Sequence, residues 1–251
     1  MNHKKIFAFT LCIALHISAF SQSLKVAVAA NLQSVIKVLD ADFKSKTGIA
    51  VEPIVGASGN LVAQIKNGAP FDVFLSADMS FPDALYKYGF TTEKPVVYAR
   101  GILIVCSTEN IDVKHWQQLV LKQSVAKVAI ANTTTAPYGK AAKEALVKLQ
   151  LLDKLSPKIV TGESISQVNT YIFNDVVSLG FTSQSFIYDS GQSKKLYYAV
   201  VAPKLYAPIE QGVVVLKHGA DNYAAEAQKF YKYLLSSSAK AIFKKYGYHT
   251  D

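Results

Sequence analysis

Apolar residues along this chain fall into two alternating rhythms. Short runs dense in valine, isoleucine and alanine read as strands, many of them buried on both faces. They are "LKVAVAA" at 24–30, "IAVEPIV" at 49–55, "FDVFLSA" at 71–77, "VVYARGILIVCS" at 96–107, "KVAIAN" at 127–132, "KIVTG" at 158–162, "VVSLGFTS" at 176–183, "YYAVVAP" at 197–203 and "GVVVLK" at 212–217. Between many of them the spacing widens to three and four. Leu32, Val35, Ile36, Leu39 and Phe43 predict a helix over 31–46 that ends before Gly48. Further helices are expected over 60–66, 139–150, 164–173 and, as one long element, about 222–246.

Near-continuous apolar strands alternating with helices predict an α/β fold with largely parallel sheets. The chain has no internal repeat, low-complexity tract or Ser/Gly linker. Any division into domains is therefore expected to be discontinuous, with the chain crossing between halves more than once.

The first residues follow a different logic. A basic start (Lys4, Lys5), an apolar stretch from Ile6 to about Ile17, and Ala19 and Ser21 at −3/−1 spacing predict a cleavable secretory signal over 1–21. That stretch is too short for a comfortable membrane span. If Cys12 leaves with it, Cys106 is the one remaining thiol, and its apolar surroundings predict a buried, inert side chain. An exported chain without a disulfide must then rely on its core, which half-apolar composition can supply.

Charge adds little. The net balance of +9 comes from lysines scattered over helical faces, with a single arginine, Arg100. No basic cluster marks nucleic-acid tracking, so no nucleic-acid partner is expected. Catalytic patterns mostly fail. "GASGN" at 56–60 lacks the second glycine of a nucleophile elbow, His115, His218 and His249 show no metal-ligand spacing, and no phosphate-binding glycine motif is present. Asp72 and Asp78 flank a strand and read as turn and cap residues rather than metal ligands.

What recurs is the strand-to-helix junction. "AAN-LQSVIKVL", "GAS-GNLVAQI", "TAPYG-KAAKEAL" and "TGESI-SQVNTYI" each pass through a small polar or Gly-containing turn into a helix start. The first helical turn has N–H groups without internal acceptors and carries the positive end of the dipole. Four such starts at the carboxyl ends of strands suggest convergence on an anion.

From about Leu24 to Tyr248 the chain resembles the periplasmic molybdate-binding proteins of ABC transporters. The resemblance rests on "AAN" before an amphipathic helix, on "GASGNLVAQIKNGAPFDVFLSAD", on "APYGKAAKEAL" with the following "KLSPKIV", on "SLGF" and on the closing "AIFKKYGY". It implies a two-lobed binding-protein fold, each lobe a mostly parallel sheet flanked by helices, with the ligand in the cleft. Lobe one would comprise 24–101 plus 207–251 and lobe two 102–206, with the hinge near residues 100–101 and 207–212. It implies molybdate or tungstate as ligand, with molybdenum present only inside the oxyanion and no cofactor. The partner would be the membrane permease of an ABC importer, and the protein a periplasmic monomer.

The resemblance carries binding roles to Asn31, Ser58, Tyr138, Ile165 and Ser183. Asn31 would also cap its helix. Ile165 would act through its backbone N–H. Ser183 stands in "LGFTS" where the family often has a tyrosine, and Tyr138 is expected to supply the phenolic donor missing there. Two alternatives stay open: another tetrahedral oxyanion such as sulfate, and a secreted hydrolase using Ser58, for which no base is recognisable.

Overall fold

The computed structural model describes residues 23–189 and 193–250; the signal segment expected over 1–21 and Cys12 lie outside the described residues. Ten strands form two five-stranded sheets. The first holds β1 (Leu24–Ala29), β2 (Val51–Gly56), β3 (Val73–Leu75), β4 (Val96–Gly101) and β10 (Ile209–Val215) in the order β2-β1-β3-β10-β4. The second holds β5 (Leu103–Ser107), β6 (Val128–Ala131), β7 (Ile159–Gly162), β8 (Leu179–Ser183) and β9 (Tyr197–Val200) in the order β7-β6-β8-β5-β9. Helices α1 (Gln33–Thr47), α2 (Ser58–Lys66), α3 (Ser80–Lys87), α8 (Lys217–Asn222), α9 (Ala224–Leu234) and α10 (Ser237–Lys245) accompany the first sheet. Helices α4 (Trp116–Leu119), α5 (Pro137–Lys148), α6 (Leu152–Leu155) and α7 (Ile165–Phe173) accompany the second.

The apolar runs are explained by burial on both faces. Leu24, Val26 and Val28 of β1 pack with Leu39, Phe43, Phe230 and Phe243 of α1, α9 and α10, while Ala27 turns to Leu61, Ile65 and Leu85 of α2 and α3. Phe43 meets Phe230 edge-on at 5.0 Å. In the second half Ala142, Leu146, Val168 and Ile172 cover a sheet containing Val105, Ile130 and Phe181. Cys106 is fully buried there, and desolvation pushes its thiol up to about 12, so it is inert near neutrality.

Three features differ from the sequence expectation. The run 96–107 is not one strand: β4 and β5 belong to different sheets, with Gly101 at the joint. Each sheet is parallel only across three strands. β10 lies antiparallel to β3 and β4, and β5 antiparallel to β8 and β9, because these are the strands that carry the chain between halves. The expected long C-terminal helix is two helices, α9 and α10, preceded by the short α8 and broken at Leu235–Ser236, where the Ser236 hydroxyl caps α10 by accepting from the Ala239 N–H. No helix among the described residues is long and apolar enough to cross a membrane.

Candidate functional site

Four helix starts meet between the two sheets. Ala30–Leu32 forms a single 3-10 turn between β1 and α1; Ser58 opens α2; Pro137 and Tyr138 open α5; Ile165 opens α7. They border one small, tight cavity lined by Ala29, Ala30, Asn31, Ala57, Ser58 and Ala77 from the first half and by Ala136, Pro137, Tyr138 and Ile165 from the second. No lining residue carries a charge. What the walls offer is backbone N–H groups at helix starts, a serine hydroxyl, a phenol and the positive ends of helix dipoles. Such a surface suits an anion held by neutral donors.

The halves are closed around it. The Gly59 N–H donates to the Thr135 carbonyl at 2.9 Å, and a Cβ at position 59 would stand 2.9 Å from the Thr135 Cα, so only glycine permits this approach. Asn60 Nδ2 donates to Glu163 Oε1 at 2.8 Å, Ser34 to Asp189 at 2.7 Å, and Ser166 to Gln33.

Of the five expected residues, Asn31, Ser58, Tyr138 and Ile165 line the cavity. The Ser58 hydroxyl accepts from the Ala77 N–H at 3.0 Å, which fixes its rotamer and leaves its own proton available. Neither histidine nor lysine lines the cavity with it, so no base is in place for a serine nucleophile. Ile165 enters α7 behind Ser164, whose hydroxyl accepts from the Gln167 N–H.

Ser183 does not line the cavity. It ends β8, fully buried, with its hydroxyl 2.8 Å from that of Ser185, which donates to the Asn31 carbonyl at 2.8 Å. Nor does Asn31 cap a helix. α1 starts behind Leu32 without a side-chain cap, because the intervening 3-10 turn turns the amide away from it. Asn31 Nδ2 instead donates to Gln211 Oε1 at 2.9 Å and to the Tyr248 hydroxyl at 3.0 Å. Both amide hydrogens are thus engaged, which leaves the backbone N–H as the donor Asn31 can offer a ligand.

A buried network behind the cavity was not foreseen. Gln211, on β10, accepts from Asn31 and, at 2.8 Å, from Tyr98, while its Nε2 donates to the Tyr138 hydroxyl at 3.3 Å. Tyr248 donates to the Asn31 carbonyl at 2.7 Å. Burial, with small additions from neighbouring phenols, holds Tyr98 and Tyr138 far above the ordinary tyrosine range, and burial does the same for Tyr248. All three remain protonated donors across neutral pH. No local signal marked it: Gln211 stands beside Glu210 at the start of β10, ahead of the apolar run.

The model for the family described as bacterial extracellular solute-binding protein matches residues 24–249. The molybdate-binding protein ModA of Rhodobacter capsulatus is 38% identical over 247 residues, covering 97% of this chain and 95% of that protein. Its counterpart from Azotobacter vinelandii is 37% identical over 232 residues, covering 92% and 91%. The solved periplasmic molybdate-binding protein of Azotobacter vinelandii superposes with a TM-score of 0.86 at 31% sequence identity, covering 91% of this chain and 100% of that one. With its two sheets, its crossings and its enclosed neutral cavity, this chain belongs to the bacterial extracellular solute-binding protein family.

Proposed function

We propose that this protein captures molybdate, and tungstate with similar affinity, and delivers it to the membrane permease of an ABC importer. The observation that carries the reading is the uncharged cavity bordered by helix starts from both halves. Support comes from the relatives named as molybdate-binding over nearly their whole length. The ligand is held by the Ser58 and Tyr138 hydroxyls and by backbone N–H groups at Asn31 and Ile165. Ser183 acts at one remove, through Ser185. The chain is a receptor and no catalysis is assigned to Ser58.

The lobes are 24–101 plus 207–251 and 102–206, hinged where β4 passes into β5 and where the chain returns into β10. Binding closes them, as hinge motion does in periplasmic binding proteins. The protein works as a monomer in the periplasm after loss of its leader. Calorimetric titration with molybdate, tungstate, sulfate and phosphate tests the reading. Saturable binding of the first two alone supports it, and preferential binding of sulfate or phosphate overturns the ligand while leaving the receptor class intact.

A further inference from the structure

We infer that Gln211 is the positioning residue that fixes donor presentation at the joint between the halves, by anchoring the amide of Asn31 and orienting the hydroxyl of Tyr138. This rests on the oxyanion-receptor reading above. Gln211 is fully buried, and a register shift between Gln211 and Gly212 sets the side chain at an irregular point of the β10–β4 pairing. Its carboxamide does three things at once. Oε1 accepts from Asn31 Nδ2 and from the Tyr98 hydroxyl, and Nε2 donates to the Tyr138 hydroxyl.

Two of these contacts reach cavity-lining residues, Asn31 and Tyr138. Asn31 Oδ1 is buried and has no hydrogen-bond partner among the described residues, so the amide is held only by the two donations from Nδ2, one of them to Gln211. The Tyr138 oxygen, filled by the donation from Gln211, keeps its own proton for an acceptor in the cavity. Tyr138 belongs to the second sheet's half and Gln211 to the first, so this contact spans the two halves beside the joint at Gly101. Room for it comes from Gly101, where a Cβ would fall 2.0 Å from the Tyr138 hydroxyl and 2.7 Å from Gln211 Nε2.

The direction of the Gln211–Tyr138 bond gives the test. In Gln211→Glu the shape is kept, but a carboxylate cannot donate. It would accept the Tyr138 proton and add negative charge beside the anion. A protonated carboxyl can donate again, and burial near an anion raises a glutamate well above its usual ~4.3. The groups bonded to the side chain at 211 are the phenols of Tyr98 and Tyr138 and the amide of Asn31; the Tyr248 phenol joins them through Asn31, and the Arg100–Glu210 pair lies beside it across β4 and β10. The three phenols, all held protonated, do not titrate in the window used.

Molybdate binding is measured by calorimetry for wild type and Gln211→Glu at about pH 8 and about pH 5.5, with folding checked by circular dichroism. The variant is expected to bind roughly a hundredfold more weakly at the higher pH and to regain about tenfold relative to wild type at the lower. Wild-type affinity at both values, or equal weakness at both, overturns the inference. If Gln211→Glu does not fold, Gln211→Met is compared in the wild-type and Tyr138→Phe backgrounds. The cost should be roughly tenfold in the first and much smaller in the second, and equal costs overturn the coupling. If wild type does not bind molybdate, the ligand reading alone has failed, and the same comparison is made with sulfate.

Discussion

Tyr138 brings a phenol to the joint between the halves, where its oxygen is satisfied by Gln211 and its proton is not consumed. Tyr138→Phe therefore removes one charge-assisted hydrogen bond to a bound anion. A loss of about 1.5–3 kcal/mol, or roughly ten- to hundredfold in affinity, is expected by calorimetry; unchanged affinity would take Tyr138 out of the site. The same burial makes a stability prediction. Tyr98, Tyr138 and Tyr248 have folded-state values raised above the ~10 of an unfolded phenol. Their contribution is fully present below ~10 and is lost above it, because the unfolded chain releases these protons first. The slope is about 1.4 kcal/mol per pH unit for each phenol. Denaturant titrations at about pH 9 and 11 should show a steep loss, to which the raised Tyr206, Tyr231 and Tyr233 also contribute, and Tyr248→Phe should reduce it by one phenol's share. The cavity-lining positions were legible because each stands in a small polar turn just ahead of an amphipathic run. The roles of Gln211 and Tyr248 were not, since nothing local to "IEQGVVV" or "KKYGY" says that these strand and tail positions converge on Asn31.

At the scale of elements, α2 carries a backbone-to-backbone contact between the halves, from the Gly59 N–H to the Thr135 carbonyl. Gly59 has no positive φ, so alanine suits its helix and would favour it by up to about 1 kcal/mol. Its Cβ would nonetheless meet the Thr135 backbone at 2.9 Å once the halves close, whereas the tip of the Phe81 ring, 3.0 Å away within the same half, can shift. Gly59→Ala should thus keep or raise the melting temperature of the ligand-free protein while weakening molybdate binding at least about tenfold. Scanning calorimetry and binding titration together check it; a lowered ligand-free melting temperature with intact affinity would contradict it. Element types read well from periodicity because β1 and α1 bury unbroken stripes. Their joints did not. The run 96–107 reads as one strand because apolar residues flank Arg100–Gly101 on both sides, and the helix break at 235–236 coincides with the serines 236–238, which a periodic reading from Leu234 to Ile242 passes over.

For the molecule as a whole, closure is written in the contacts that cross the cleft: Gly59 to Thr135, Asn60 to Glu163, Ser34 to Asp189 and Ser185 to Asn31. If these form when ligand bridges the lobes, solution scattering should show a smaller radius of gyration on adding molybdate, and an unchanged radius at saturation would contradict the hinge. The central claim is selectivity from fixed, neutral donors. Backbone N–H groups and buttressed hydroxyls cannot follow a smaller ion inward as a flexible lysine could. Sulfate has the charge and shape of molybdate but shorter bonds, so it leaves some donors unpaired, each at a cost of about 1–3 kcal/mol. Competition calorimetry tests this most directly: the protein is saturated with molybdate and titrated against tungstate, sulfate and phosphate. Tungstate should displace molybdate at comparable concentration, while sulfate and phosphate should fail even in large excess; displacement by sulfate at concentrations comparable to molybdate would contradict the account.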